Sequence, residues 1–401
     1  MFATPRLVLL PGTAMQKEEK VITGGFSPKR LTRLRDLLDR CVDAGYFPGA
    51  VAVVARHGEV HMQATGSLAF EGMGSGTPMA ADTIFRIASM TKPIAAACAM
   101  TLVEDGTLRL DDPVDDLLPD LADMTVLVDP NEPLHGTVPA KRPITLRDLL
   151  TFTPGIGWHE GPELAPDEWM RGLGERPLAH QPGERWVYSS SADVTGVLIA
   201  RAAGMSFGDA LRERVCEPLG MKDTAFTVGG ESIGRLATAY QSAAAGEAAA
   251  VVADGPDGRF SRPPVFERGG GGLVSTAGDY LAFASALLAG GTHHGERMLS
   301  RPSVTLMTSD HLTAAQKAAS ELPLGTLDDT GWGFGMSVRT RRTHLGPSAG
   351  SYGWTGFYGT AWYNDPAEDM TAILMIQRVL APCVQRILLD FWTAAYQAID
   401  D

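Results

Sequence analysis

The pattern of apolar and polar positions predicts a helix followed by a β-hairpin near the start of the chain. Leucines recur at helical spacing across residues 27–44, with Ser27 placed to cap the helix and Pro28 at its first position. Residues 50–55 form an unbroken run of alanine and valine, and a second strand-like run follows at residues 60–65. Two such runs joined by a short polar turn are typical of a hairpin.

The pattern changes in the middle of the chain and changes back near its end. Between residues 110 and 264 strand-like runs are scarce, and loops alternate with amphipathic helices. Strand patterns return late in the chain, before a last helix at 383–399, and they lie at 333–338, 360–363 and 370–376. We therefore predict an α+β fold, in which both ends of the chain build one antiparallel sheet flanked by the first and last helices.

This pattern also predicts how the chain is divided. The predicted parts are an N-terminal arm (1–25), an α/β domain with the antiparallel sheet (26–109 and 265–401) and an inserted, mostly helical domain (110–264). Within the arm, the apolar run 7–10 is too short for a good secretory signal. We expect the arm to be loosely packed, and the alanine-rich stretch 243–253 to be a surface excursion.

The composition argues against some classes of binding partner and indicates an expected location in the cell. The chain has 34 basic and 47 acidic side chains and a formal charge of −13, which argues against a nucleic-acid or anionic-membrane partner. It has no apolar run long enough to span a bilayer. Its four cysteines are widely spaced and include no Cys-x-x-Cys pair, so we expect reduced thiols and a cytoplasmic location.

Metal catalysis is poorly supported by the sequence. His293 and His294 are adjacent on a glycine-rich stretch, but they lack His-x-x-x-His spacing and a nearby acidic partner. We interpret the pair as part of a solvated loop. No cofactor or metal is predicted.

The strongest candidate chemistry is a serine and a lysine three residues apart. Ser89 and Lys92 stand where a helix is predicted to begin, so their side chains share one face. The helix N-terminus also favours developing negative charge. A nearby base and a setting that tolerates an anion are the two needs of a serine nucleophile. Two other stretches are notable: a loop that ends on Tyr188, and the glycine-rich approach to a strand at 350–359.

These three elements, in this order, resemble the serine beta-lactamase and penicillin-binding-protein superfamily, in particular its class C-like branch. Ser89 to Lys92 matches the Ser-x-x-Lys motif, and Tyr188-Ser189-Ser190 stands where the family has Tyr-x-Asn. Trp354-Thr355-Gly356 stands where the family has Lys-Thr-Gly. The resemblance covers roughly residue 44 to the C-terminus and implies a beta-lactamase-like fold.

The departures from the family motifs concern substrate binding. The family's lysine helps to hold a substrate carboxylate and its asparagine binds an amide, whereas this chain has Trp354 and Ser190. A more apolar site suits uncharged esters better than anionic lactams. In this respect the chain is most similar to the family VIII carboxylesterases, which implies hydrolysis of short-chain or bulky uncharged small-molecule esters.

The resemblance also implies a role for each site residue. Ser89 would attack the ester carbonyl, and Lys92, alone or paired with Tyr188, would take its proton. Tyr188 would then pass a proton to the leaving alcohol and help to activate water. The backbone N–H groups of Ser89 and Phe357 would form the oxyanion hole, worth roughly 3 kcal/mol per donor in other enzymes. Trp354 would line the substrate pocket.

Several alternatives remain open at the level of sequence. They are a class C-like beta-lactamase, a D-amino peptidase or amidase, an acyltransferase, and a binding or scaffold protein that is acylated without turnover. Two rival serines, Ser206 and Ser348, match the Gly-x-Ser-x-Gly nucleophile pattern. That pattern requires a preceding strand and a following helix. Ser206 is better placed as a helix cap, and Ser348 has no helix after it. The sequence leaves the oligomeric state open.

Overall fold

The computed structural model describes residues 6–9, 24–131, 136–161, 163–243, 250–320 and 329–401. Its helices are α1 (Pro28–Asp43), α2 (Thr91–Glu104), α3 (Leu146–Thr151), α4 (Pro166–Gly174), α5 (Ser191–Ala203), α6 (Phe207–Leu211), α7 (Glu217–Leu219), α8 (Ala277–Leu288), α9 (Arg301–Met307), α10 (Ala314–Ala318) and α11 (Pro382–Tyr396). Its strands are β1 (Arg6–Leu9), β2 (Gly49–Arg56), β3 (Glu59–Gly66), β4 (Ile84–Arg86), β5 (Thr125–Leu127), β6 (Thr137–Pro139), β7 (Ala239–Ser242), β8 (Ala250–Asp254), β9 (Val274–Thr276), β10 (Thr292–His293), β11 (Glu296–Arg297), β12 (Thr330–Trp332), β13 (Ser337–Arg339), β14 (Tyr352–Thr355), β15 (Ala361–Asp365) and β16 (Met370–Met375).

One large sheet is built from both ends of the chain, as the sequence predicts. Its eight strands lie in the order β1-β3-β2-β16-β15-β14-β13-β12, and all pairs are antiparallel except β1 with β3. The predicted α+β fold is confirmed. The predicted arm is not wholly separate from the sheet, because β1 pairs in parallel with the outer edge of β3.

The first and last helices cover one face of this sheet. Ala50, Ala52 and Val54 of β2 lie in a buried cluster with apolar side chains of α1 and α11. The alternate residues Val51 and Val53 point to the opposite face, where they join the main core with α2 and α8. Because successive side chains of a strand alternate between faces, the continuous valine and alanine run fits a strand buried on both sides.

The predicted strand at 333–338 is wrong for most of its length. Residues 333–336 form the turn between β12 and β13, closed by a hydrogen bond of 2.9 Å from Gly333 N to Met336 O. Gly335 has a φ of +71°, which glycine adopts without steric cost. The two glycines therefore mark a hairpin turn.

The region between the two halves of the sheet domain combines helices with two small hairpins. It holds α3 to α7, together with the pairs β5–β6 and β7–β8. The stretch predicted as a surface excursion is partly ordered as β8, while residues 244–249 lie outside the described chain. β9 then pairs with β4, which brings the glycine-rich run beside the segment that carries Ser89. The domain boundaries themselves stay a prediction.

Two further features bear on the sequence predictions. Among the described segments, no single helix has the length and apolar character to cross a membrane. The pair Ser191–Ala203 and Phe207–Leu219 passes that test jointly, by length and composition, but is bent by 84°. The four cysteines are free thiols, and Cys383 is the one of them that is only partly buried.

Candidate active site

Ser89 lies on a tight turn rather than on the first turn of a regular α-helix. Residues 88–90 form a 3-10 turn that leads directly into α2. Ala88 has a φ of +43°, a left-handed conformation that costs free energy for a residue with a side chain. The turn is held from outside by hydrogen bonds from Ile87 N to Leu273 O (3.1 Å) and from Tyr280 Oη to Met90 O (3.1 Å). Packing thus holds the strained residue Ala88 in place directly before Ser89, which is itself partly buried.

The structure brings Lys92 and Tyr188 to the Ser89 hydroxyl. Lys92 Nζ donates to Ser89 Oγ at 3.0 Å, and Tyr188 Oη donates to the same oxygen at 2.8 Å. Lys92 Nζ also lies 4.7 Å from the centre of the Tyr188 ring, and the lysine is only 2% exposed. The distances of 3.0 Å and 2.8 Å to Ser89 Oγ are within the range in which a proton passes between a nucleophile and a base.

A second acceptor holds the lysine from the other side. Lys92 Nζ donates to the backbone oxygen of Gly270 at 2.5 Å. Gly270 N in turn donates to Asp193 Oδ1 at 2.8 Å, and Arg268 forms an ion pair with the other oxygen of that carboxylate at 2.5 Å. The sequence does not predict a site role for Asp193, Gly270 or Arg268. A glycine run and an aspartate in the first turn of a helix carry no local signal for this role.

Trp354 contacts the site through its indole nitrogen as well as its ring. Trp354 Nε1 donates to Tyr188 Oη at 3.2 Å, and the two ring centres are 5.6 Å apart. Behind them lies a buried aromatic cluster, which was not predicted, of Phe152, Trp186 and Trp332. The Trp332 ring is perpendicular to the Trp354 ring at 4.7 Å. Aromatic packing of this kind fixes the position of the two rings at the site.

The end of β14 places the predicted oxyanion-hole segment directly against the Ser89 turn. Thr355 is the last residue of β14, and Gly356 N donates to Thr360 O at 2.7 Å. A Cβ on Gly356 would lie 2.4 Å from the oxygen of Ile87, so only glycine allows this approach. Phe357 follows in the turn with its side chain 53% exposed. Within the described chain its N–H donates no hydrogen bond, as an oxyanion donor requires.

The Ser190 side chain, unlike that of Phe357, is buried and hydrogen-bonded to the protein backbone. It is 1% exposed, and its hydroxyl bonds to the backbone of His159, accepting from N at 2.9 Å and donating to O at 3.3 Å. The Ser190 side chain therefore joins two segments of the site wall. The substrate-binding role assigned to it stays a prediction.

The rival serines and the histidine pair lie in other surroundings. Ser206 caps α6 by accepting from Asp209 N. Ser348 lies in a loop, where its N–H donates to Asp365 at 2.8 Å. His293 and His294 lie at the turn between β10 and β11. Across the residues that the structure describes, no three histidine, cysteine or acidic side chains are grouped in a way that would hold a metal ion.

A separate cavity of about 640 Å³ lies behind the glycine run. Its lining includes Phe226 and Leu273, but not Ser89, Lys92 or Tyr188. Size alone would select this cavity as a ligand site. The predicted site lies elsewhere, at Ser89, whose hydroxyl accepts hydrogen bonds from both Lys92 and Tyr188.

The hydrogen bond from Trp354 to Tyr188 leads to a testable prediction. Trp354→Phe keeps an aromatic ring but removes the N–H donor, so we expect kcat for an ester to fall about 3- to 10-fold with little change in KM. Trp332→Phe is the matched control, because its indole nitrogen is buried without a hydrogen-bond partner in the described chain. Steady-state kinetics on both variants test this; equal losses would mean that only ring packing matters.

Comparison with known proteins identifies the family. A sequence model of the Beta-lactamase family matches residues 34–386. The chain is 40% identical over 353 residues to Protein Rv1367c of Mycobacterium tuberculosis, covering 84% of this chain and 87% of that protein. It is 32% identical over 381 residues to Esterase EstB of Burkholderia gladioli, covering 86% and 89%.

A solved structure shows the same fold. EstCE1, described as a hydrolase with promiscuous acyltransferase activity, matches with a TM-score of 0.74 at 24% identity, covering 92% of this chain and 99% of its own. The sequence match and the fold agree. The chain belongs to the Beta-lactamase family.

Proposed function

We propose that this Beta-lactamase family protein is a serine hydrolase that cleaves uncharged carboxylic esters of small molecules through an acyl-enzyme on Ser89. One observation carries the proposal: the Ser89 hydroxyl is within 3.0 Å of both Lys92 Nζ and Tyr188 Oη, beside the half-buried indole of Trp354. The names of relatives such as Esterase EstB support ester chemistry.

In the acylation step, Ser89 Oγ attacks the carbonyl carbon of the ester. Its proton passes to the Lys92–Tyr188 pair. One of these two groups must be deprotonated at that moment in order to accept it. The carbonyl oxygen becomes an oxyanion facing the N–H groups of Ser89 and Phe357. The bond from the carbonyl carbon to the alcohol oxygen then breaks, and the alcohol leaves with a proton from Tyr188.

Deacylation repeats these transfers with water as the nucleophile. Water gives a proton to the Lys92–Tyr188 pair as its oxygen attacks the acyl carbon. The bond from that carbon to Ser89 Oγ breaks, and the serine recovers its proton from the pair. The products are a carboxylic acid and a regenerated enzyme. Another alcohol in the place of water would give acyl transfer through the same intermediate.

The preference for uncharged esters rests on the charges around the site. Trp354 presents a neutral N–H donor, and that donor is already used by Tyr188. Lys92 is hydrogen-bonded to Ser89 and Gly270, and Arg268 is paired with Asp193. Arg268 is thus already paired with a carboxylate, and the Lys92 amine is already hydrogen-bonded on two sides, so a substrate carboxylate would have to displace one of these partners to bind here.

A substrate panel tests this proposal. We expect p-nitrophenyl butyrate to be hydrolysed with a kcat/KM at least about 10- to 100-fold above that of nitrocefin, whose carboxylate would lack a partner. Trp354→Lys supplies a cation at the family's lysine position and should narrow this difference. D-amino-acid amides complete the panel. Faster turnover of nitrocefin or of an amide than of any ester would contradict the ester assignment.

A further inference from the structure

The Ser89 site is connected through one glycine to an ion pair whose carboxylate is buried. Arg268 pairs with Asp193, Asp193 accepts from Gly270 N, and Gly270 O accepts from Lys92 Nζ, which itself donates to Ser89. We call the first three residues, Arg268, Asp193 and Gly270, the lysine brace. Asp193 is 1% exposed, and its two carboxylate oxygens have separate partners in the brace.

The local sequence explains why this arrangement forms. Helix α5 lies so close to the glycine run that a Cβ on Gly269 would be 2.2 Å from the oxygen of Ala192. A Cβ on Gly270 would be 2.8 Å from Asp193 Oδ1. Real Cβ atoms do not come this close to their neighbours, so two consecutive glycines are needed for the backbone to reach Asp193.

We propose that Asp193 is a positioning residue for Lys92, a role that rests on the proposed acyl-transfer function of Ser89. A lysine amine is a compact charge on a flexible four-carbon stem, and its hydrogen bond to Ser89 alone leaves it free to rotate. The Gly270 oxygen is its second attachment point. Asp193, held by Arg268, keeps that oxygen in place and so keeps the amine 3.0 Å from the nucleophile.

The proposal differs from a purely structural role for the ion pair. A structural pair would change stability but not the reactivity of Ser89 in the folded protein. A positioning pair changes that reactivity, because misplacing a catalytic group by about 1 Å can cost on the order of 10²-fold in rate. The rate at which a fluorophosphonate labels Ser89 measures reactivity without any ester substrate.

The main test compares Asp193→Asn with Asp365→Asn. Asp365 is also buried and accepts hydrogen bonds from Ser348 N and Tyr396 Oη, which are not part of the site. We expect Asp193→Asn to slow fluorophosphonate labelling and to lower kcat for p-nitrophenyl butyrate about 10- to 100-fold, with KM changed less than about twofold. Asp365→Asn should lower only the melting temperature. Equal labelling rates in the two folded variants would overturn the proposal.

A second measurement shows whether Asp193 acts through Lys92. In a Lys92→Met background the amine is gone, so adding Asp193→Asn should change the residual labelling rate by less than about twofold. An additional loss of 10-fold or more in that background, about the full effect of the single variant, would also overturn the proposal.

A pair of glycine variants tests the brace without changing any charge. Gly270→Ala places a methyl group against the Asp193 carboxylate, whereas Gly271→Ala meets its nearest neighbour, a backbone atom of Ala88, at an ordinary 3.6 Å. We expect slower labelling in Gly270→Ala than in Gly271→Ala, and this pair decides the matter if Asp193→Asn does not fold. Labelling at the same rate in both would overturn the proposal. If esters are not hydrolysed while labelling still depends on Asp193, the ester assignment fails and the brace stands.

Discussion

Replacing Ser89 with alanine is expected to lower hydrolysis of p-nitrophenyl butyrate by about 10⁴-fold or more and to abolish fluorophosphonate labelling. The variant removes the oxygen that accepts hydrogen bonds from both Lys92 and Tyr188. Removal of a serine nucleophile in other hydrolases costs up to about 10⁶-fold in kcat. Initial rates and mass spectrometry of the labelled protein measure the two effects.

The two rival serines provide controls for this variant. Ser206→Ala removes a helix cap, which should cost about 1 kcal/mol of stability and leave the rate unchanged. Ser348→Ala changes a loop next to Asp365 and, as a control, should also leave the rate unchanged. Undiminished hydrolysis by Ser89→Ala, or loss of activity in Ser206→Ala or Ser348→Ala with retained folding, would show that the nucleophile has been misassigned.

Tyr188→Phe is expected to lower kcat about 10²- to 10⁴-fold, with an effect that depends on the leaving group. The variant keeps the ring that packs on Phe152 and Trp354 but removes the hydroxyl that donates to Ser89. p-Nitrophenolate leaves without protonation, whereas an alkoxide needs a proton. Alkyl butyrates should therefore lose more activity than p-nitrophenyl butyrate when the two are compared side by side.

Tyr396→Phe is the matched control for Tyr188→Phe. Its hydroxyl donates to Asp365 at 2.8 Å, on the face of the sheet that is covered by α1 and α11. The loss of this hydrogen bond should lower stability and leave kcat for both classes of ester within about twofold, because the bond does not contact the site. An equal loss for the two ester classes in Tyr188→Phe would argue against proton donation to the leaving alcohol.

Ser89→Ala and Tyr188→Phe together separate the role of the serine oxygen from the role of the tyrosine hydroxyl. Ser89→Ala removes the bond-forming atom, while Tyr188→Phe leaves it in place with Lys92 as its remaining partner. The retained lysine should still permit acylation of Ser89 by a reactive ester. A burst of p-nitrophenolate followed by slow turnover in Tyr188→Phe would therefore place most of the loss in the step that activates water.

Local patterns predicted the regular elements well where neighbouring residues decide the structure. The first helix begins at Pro28 with Ser27 at the N-cap position, and Ser206 caps α6, because each depends on residues within one helical turn. The hairpin of β2 and β3 follows from the apolar runs on either side of a short polar turn. The strand predicted at 333–338 was wrong for residues 333–336, because a glycine-rich segment that looks extended in sequence can also form the turn of a hairpin.

The sequence by itself determined that Ser89 and Lys92 share a face, because a separation of three residues on a helical turn allows little else. Only the tertiary structure decided what surrounds them. Tyr188 is 99 residues from Ser89 in the chain, and Gly270 is 178 residues from Lys92. Such contacts depend on how the inserted region packs against the sheet domain. The residues next to Ser89 and Lys92 in the sequence do not determine that packing. The motif order identified Tyr188 by family resemblance, whereas Asp193 and the glycine that holds Lys92 emerged only once the elements were assembled.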